Sequence, residues 1–162
     1  MLASTIVLGI AAGLVSGGRW ERLAELRFKW WPVLAIALGI RLAALFLGEV
    51  GLVPYLLAFA ALIAAALADR GLPGMAFVIA GASLNFAVVL ANGGMPIDPA
   101  TAAGAGTYIP QDGLHIPLGG GTRLPFLADV IPVPWIQRVY SPGDLLIATG
   151  GFVLPFAASR RK

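Results

Sequence analysis

The chain has 162 residues, of which 59% are hydrophobic and only 12% are charged, and its formal net charge is +3. Soluble domains carry about 25% charged residues, so the composition excludes an ordinary water-soluble fold and indicates a membrane protein. The basic residues fall mostly at predicted helix ends instead of on one face, so we expect no nucleic-acid partner. The absence of cysteine excludes disulfides, thiolate metal sites and cysteine nucleophiles.

Five apolar stretches are long enough, or nearly long enough, to cross a hydrocarbon core about 30 Å thick. The segment Met1–Thr5 lacks the basic residues of a signal peptide, so we interpret the first stretch as a retained helix. Gly150, Gly151 and Pro155 interrupt the last stretch and favour a kink there. The sequence predicts a single membrane domain, residues 1–162, with helices at about 2–18, 30–48, 51–68, 71–91 and 142–158.

A long connection, residues 92–141, separates the fourth predicted helix from the fifth and is rich in glycine and proline. Its prolines preclude long helices and favour turns with short extended pieces. Apolar runs such as residues 124–127 are unusual for a segment in water, so we expect the connection to pack over the helix ends. The predicted fold is therefore an all-α membrane bundle with an irregular loop over its outer end.

The distribution of basic residues predicts the orientation in the membrane, because Lys and Arg concentrate on the cytoplasmic side. This rule places the amino terminus and residues 92–141 outside the cytoplasm and the carboxyl terminus inside it. One side carries only Arg123 and Arg138, whereas the other carries Arg19, Arg22, Arg27, Lys29, Arg70, Arg160, Arg161 and Lys162.

Three glycines recur every four residues in the first predicted helix. Gly9, Gly13 and Gly17 would form one flat face on which another backbone can approach closely. The pattern predicts tight packing against a helix of the same chain, of another membrane subunit or of a second copy of the protein.

Polar residues inside membrane helices are costly, so each calls for a partner or a function. Arg41 and Asn85 lie at similar predicted depths, roughly 10 Å below the outer ends of their helices. Near that outer surface come Asn92, Asp129 and Asp144. We hypothesise that these five residues form one ligand-binding site that opens outward, without a metal or a cofactor.

Each of these residues also has a structural interpretation. Ser141 has the form of a helix N-cap, with Asp144 at the third helical position, where a carboxylate suits the helix dipole. Arg41 could extend to the lipid headgroups or pair with Glu49. Asn85 could hydrogen-bond to a neighbouring helix.

Two further features carry little chemistry. His115 stands in a glycine-rich segment without other ligand residues nearby, so we expect it to be solvated or bonded within the loop. The run Gly119–Gly121 has neither a strand before it nor a helix after it, which disfavours a phosphate-binding loop.

The whole chain resembles an uncharacterised family of small bacterial membrane proteins, the domain-of-unknown-function family numbered five-three-one-seven. This resemblance implies a location in the bacterial inner membrane but no known activity. It rests on Asn92-Gly93-Gly94-Met95-Pro96, on residues 124–132 and on Ser141-Pro142-Gly143-Asp144.

The carboxyl-terminal part also resembles the lipoprotein signal peptidases in its two aspartates. The resemblance implies that Asp129 and Asp144 share a proton and activate water against a peptide bond. The glycine-rich block that precedes the first catalytic aspartate of that family is missing, and Pro142-Gly143 replaces the residues before the second.

Three classes of function follow. The small size and the glycine-faced helix favour a non-enzymatic role, as an accessory or assembly subunit or as a binder of lipid or a small ligand. The first alternative is a membrane-embedded aspartyl hydrolase that uses Asp129 and Asp144 as catalytic residues. The second alternative is a transporter of small solutes.

Overall fold

Helices dominate the part of the chain that the computed structural model describes, which comprises residues 1–33, 35, 36, 39 and 51–160. Most of the predicted helix at 30–48, including Arg41, lies outside the described residues. The helices are α1 (Leu2–Val15), α2 (Trp20–Ala24), α3 (Leu52–Ala68), α4 (Met75–Asn92), α5 (Pro99–Gly104) and α6 (Pro142–Arg160).

Among the described helices, α4 and α6 are long and apolar enough to cross a membrane. α1 and α3 are also apolar but shorter, with 14 and 17 residues. α1 ends before the predicted boundary because Gly17 adopts a left-handed conformation, with φ of 86°. α4 begins later than predicted, after Gly74 with φ of 82°, and α6 continues through Pro155 to Arg160.

α1 packs along α6 in the same direction, and two of the three predicted glycines make this contact. Gly9 lies against Phe152 and Pro155 of α6, and a Cβ atom on Gly9 would come within 2.9 Å of the Pro155 side chain. Gly13 lies one helical turn further along, against α6 near Ser159. The close approach that Gly9 and Gly13 allow is therefore made within the chain. Gly17 follows the end of α1, and no atom of the described residues lies within 4 Å of where its Cβ would be.

α4 packs on α6 in the opposite direction through two glycine pairs. A Cβ atom on Gly150 would lie 2.7 Å from the Gly74 carbonyl oxygen, and one on Gly143 would lie 2.7 Å from that of Gly81. Gly143 and Gly150 are seven residues apart in α6, which is about two turns, so they share a face. Gly81 lies within α4, and Gly74 directly precedes that helix. This contact brings the start of α6 against the second half of α4.

The two ends of the bundle differ. At one end, the first turns of α3 and the last turns of α4 meet the connecting segment in an apolar cluster of Tyr55, Val88, Val89, Met95 and Leu114. We call residues 93–141 the cap and this end the cap end. At the other end, which we call the basic end, the Arg19 amide donates to the Ser159 carbonyl oxygen at 2.8 Å and the Lys29 amide donates to Asp69.

The prediction of an all-α fold is wrong for the cap, which contains two small sheets. β1 (Met95–Ile97) pairs in parallel with β2 (His115–Pro117), and β3 (Ile131–Val133) pairs antiparallel with β4 (Arg138–Tyr140). The prolines that exclude helices here are compatible with such short strands. β4 leads directly into α6, so the cap sheets position the residues at the start of that helix.

Candidate ligand-binding site

The start of α6 is held by a reciprocal pair of hydrogen bonds. The Ser141 hydroxyl accepts from the Asp144 amide at 3.0 Å, and the Asp144 carboxylate accepts from the Ser141 amide at 3.2 Å. This is the geometry of a capping box, in which two otherwise unpaired helix donors are satisfied. The predicted roles of Ser141 as N-cap and Asp144 at the third helical position are confirmed.

Asn85 of α4 hydrogen-bonds to both residues of this capping box. Its side-chain amide donates to the other carboxylate oxygen of Asp144 at 2.9 Å, and its carbonyl oxygen accepts from the Ser141 hydroxyl at 2.9 Å. Asn85 is buried, and it reaches the start of α6 because Gly143 has no side chain in its way. The predicted hydrogen bond from Asn85 to a neighbouring helix is therefore confirmed, and both oxygens of Asp144 have a donor.

Asp129 lies in the cap next to this network and has different surroundings. Its backbone amide donates to the Pro96 carbonyl oxygen at 2.8 Å, and its carbonyl oxygen accepts from the Asp98 amide at 3.1 Å. These bonds fix Asp129 beside β1. Its side chain is only 6% exposed, and Oδ1 has no hydrogen-bond partner among the described residues.

Burial, and after it the negative charge of Asp144, raises the pKa of Asp129 to about 8. A carboxyl group in such surroundings keeps its proton at neutral pH, because the ionised form has lost its hydration without gaining a donor. At neutral pH Asp129 is therefore a buried, protonated carboxyl group.

Tyr140, the last residue of β4, also borders the site. Burial raises the pKa of its phenol; the charge of Arg138 acts in the opposite direction, and the charges of Asp144 and Asp129 raise it further. Sequence reasoning did not single out Tyr140. Its place directly before the predicted cap residue Ser141 was the available signal.

Asn92 makes its contacts elsewhere. Its side-chain amide donates to the carbonyl oxygens of Val88 and Arg123, and its oxygen accepts from the Arg123 amide at 2.8 Å. It therefore fastens the cap to the end of α4. Of the five residues in the predicted site, Asn85 and Asp144 are hydrogen-bonded to each other and Asp129 lies near enough to Asp144 to be affected by its charge. Arg41 lies outside the described residues.

His115 is bonded within the cap, which is one of the two states predicted for it. Its Nδ1 lies 2.6 Å from the Asp112 carboxylate, which also accepts from the amides of Leu114 and His115. These bonds close the turn before β2.

The sequence profile of a family described as a family of unknown function (DUF5317) matches residues 25–156 of the chain. The match covers Asn85, Asp129, Ser141 and Asp144. Neither a search of curated proteins nor a search of solved structures found a match.

Proposed function

The chain belongs to the DUF5317 family of unknown function, and we propose that it is a five-pass membrane protein that binds a small cation or amine, without catalysis, at Asp129. The proposal has three parts: the passes through the membrane, their orientation and the chemistry of the site.

The directions of the described helices support five passes. α1 and α6 run from the cap end to the basic end, α4 runs the opposite way, and α3 starts beside the end of α4. Lys29 is tied to Asp69 at the basic end, whereas α3 begins after Gly51 at the cap end. A membrane pass by the helix predicted at 30–48 would return the chain from the basic end to the cap end, and it would bring the number of passes to five.

The charges support an orientation with the cap outside the cytoplasm, in a bacterial inner membrane. Positively charged residues concentrate on the cytoplasmic side of such proteins. Among the described residues, the cap carries Arg123 and Arg138, whereas the segments at the basic end carry Arg19, Arg22, Arg27, Lys29, Arg70 and Arg160.

The observation that carries the proposed binding is the Asp129 side chain, which is buried and has an oxygen without a hydrogen-bond partner among the described residues. A buried carboxylate is costly unless it is paired. A small cation, or an amine with its N–H donors, would satisfy Oδ1 and displace the proton. The negative charge of Asp144 would favour that exchange.

One observation favours the aspartyl hydrolase as a second candidate. A proton-sharing pair needs one protonated and one ionised carboxyl group, and the raised pKa of Asp129 beside Asp144 resembles that condition. However, both Asp144 oxygens already accept hydrogen bonds from Ser141 and Asn85. Asp144 is thereby occupied as a helix cap, which supports binding over hydrolysis.

The proposal is tested by thermal unfolding of the detergent-solubilised protein with Na⁺, Mg²⁺ or methylammonium, against choline at the same ionic strength. At about pH 9, where Asp129 ionises, at least one of the three should raise the melting temperature, and at about pH 6 the rise should shrink. Asp129→Asn should abolish the rise. Glu25→Gln, which removes an exposed carboxylate near the basic end, is the matched control and should keep it.

Two results would contradict the binding proposal: no shift with any of the three cations, or an equal shift in Asp129→Asn. Asp144→Asn separates the two candidates. As a cap residue it should cost about 1 kcal/mol or less and leave a reduced cation shift. A hydrolase would instead lose its activity entirely, because Asn cannot act as a general base.

A further inference from the structure

The turn between Arg123 and Leu127 has a backbone conformation that is fixed by its sequence. Leu124 adopts the left-handed conformation, with φ of 53°, and Pro125 opens a 3₁₀ turn, Pro125–Leu127. The Leu127 amide donates to the Leu124 carbonyl oxygen at 2.9 Å. A leucine with positive φ is strained, and such strain persists only where the surroundings hold it in place.

Both sides of this turn are attached to the ends of the long helices. Arg123 is bonded to Asn92 through its amide and its carbonyl oxygen. Leu127 packs against the apolar cluster that contains Tyr55 of α3 and Val88 of α4. The turn therefore lies level with the first turns of α3 and the last turn of α4.

The turn presents apolar side chains outward. Phe126 is 66% exposed, although Leu127 beside it is packed against the helices. Leu124 is 36% exposed. A side chain of this size loses the favourable free energy of burial by remaining in water. Exposure at a rigid turn next to the helix ends indicates a surface that another apolar phase covers.

The positive charge of Arg123, close to Phe126 in the chain, indicates that this apolar phase is lipid. Arg123 is exposed at the same turn. Aromatic side chains and Arg together suit the boundary between lipid chains and headgroups, where the ring enters the apolar region and the guanidinium meets phosphate. A surface with anionic lipid headgroups attracts an Arg side chain that lies near it.

We propose that residues 123–126 form a lipid-binding turn, in which Phe126 inserts into the outer leaflet and Arg123 binds a lipid phosphate. This inference rests on the membrane setting of the proposed function, and it is independent of the binding at Asp129. It assigns the cap a second role: the cap closes the bundle and also fixes the depth of α3 and α4 in the membrane.

The natural absence of cysteine allows a direct test with single-cysteine variants. Phe126→Cys carries a nitroxide label in nanodiscs of phosphatidylcholine with phosphatidylglycerol, and its collisions with oxygen and with a water-soluble nickel chelate are measured. We expect oxygen, which concentrates in lipid, to relax this label several-fold more than nickel does. The preference should weaken in the Arg123→Gln background and in discs without phosphatidylglycerol.

Two control positions separate failure of this inference from failure of the membrane setting. Ala80→Cys labels an exposed position within α4, and Gly120→Cys labels a cap position with open space around its Cβ. Oxygen preference at 80 with nickel preference at 126 would overturn the lipid-binding turn alone. Low collision with both reagents at 126 would also overturn it, since protein would then cover the site. Nickel preference at 80 would overturn the membrane setting.

Discussion

Two buried aspartates, one at each end of the bundle, differ in what surrounds them. Asp69 at the basic end is 5% exposed, and both of its carboxylate oxygens accept from the Lys29 amide, at 3.1 and 3.2 Å. Asp129 at the cap end is 6% exposed, and its Oδ1 has no partner among the described residues. The two aspartates are thus buried to nearly the same extent but differ in whether their carboxylate oxygens are hydrogen-bonded. The comparison teaches that burial alone does not decide whether a carboxylate is hydrogen-bonded; the donors that the surrounding fold supplies decide it.

The largest effect is expected at Asn85, which hydrogen-bonds to both Asp144 and Ser141 at the start of α6. Asn85→Ala would leave the buried Ser141 hydroxyl proton without its acceptor and one Asp144 oxygen without its donor, at a cost of about 2–4 kcal/mol. Thermal or denaturant unfolding in mild detergent measures this loss. Asn92→Ala on the same helix is the control; its bonds are more exposed, so it should cost about half as much or less. Equal losses would show that Asn85 does not hold the start of α6.

A smaller effect is expected at the satisfied aspartate. Asp69→Ala removes the acceptor of the Lys29 amide and should destabilise the protein by about 1–2 kcal/mol. Asp69→Asn, which keeps one acceptor oxygen, should recover most of that loss. The comparison between the two ends would fail if Asp69→Ala were neutral or stabilising in the same unfolding measurement.

At Asp129 the effect of a substitution on stability should have the opposite sign and should depend on pH. Its pKa of about 8 lies above the usual 3.8, so the folded state holds the proton more tightly than the unfolded state does. The stabilisation from this protonation is fully present below about pH 4 and is lost as the pH rises to about 8. Asp129→Asn should therefore raise stability by about 1 kcal/mol or more near pH 8, and the gain should shrink steadily as the pH falls to about 4.

Asp98→Asn is the control for the sign of the stability change in Asp129→Asn. The Asp98 carboxylate caps α5 by accepting from Thr101, first through the hydroxyl and then through the amide, and these bonds lower its pKa. Its stabilisation is present above its ordinary pKa and is lost as the pH falls. Asp98→Asn should therefore lower the melting temperature at neutral pH. A fall in melting temperature with Asp129→Asn as well would show that Asp129 is already paired.

The long helices were predictable because each is a continuous apolar run, and such runs have few alternatives to a helix. The start of α6 was predictable for a local reason too, because Ser141 and Asp144 satisfy donors within four residues of each other. The boundaries near Gly17 and Gly74 were missed by a few residues, because both glycines turn left-handed and a hydropathy pattern does not register backbone angles.

The cap was predicted less well. Its prolines correctly predicted short extended pieces, but the pairing of β1 with β2 joins residues about 20 positions apart. Such pairing depends on how the cap folds over α3 and α4, which no local pattern specifies. For the same reason Asn92, placed in the predicted site by its helical spacing from Asn85, fastens the cap at Arg123 instead.

The sequence by itself determined the apolar helices, the capping box at the start of α6 and the asymmetry of basic charge between the two ends. Each of these depends on composition or on neighbours within one helical turn. Only the tertiary structure decided which aspartate is satisfied. Asp144 gains its third hydrogen bond from a helix 59 positions away in sequence, and Lys29 reaches Asp69 across 40 positions. Asp129 is placed by backbone bonds to β1 that leave its buried Oδ1 without a donor among the described residues, and that difference follows from long-range packing.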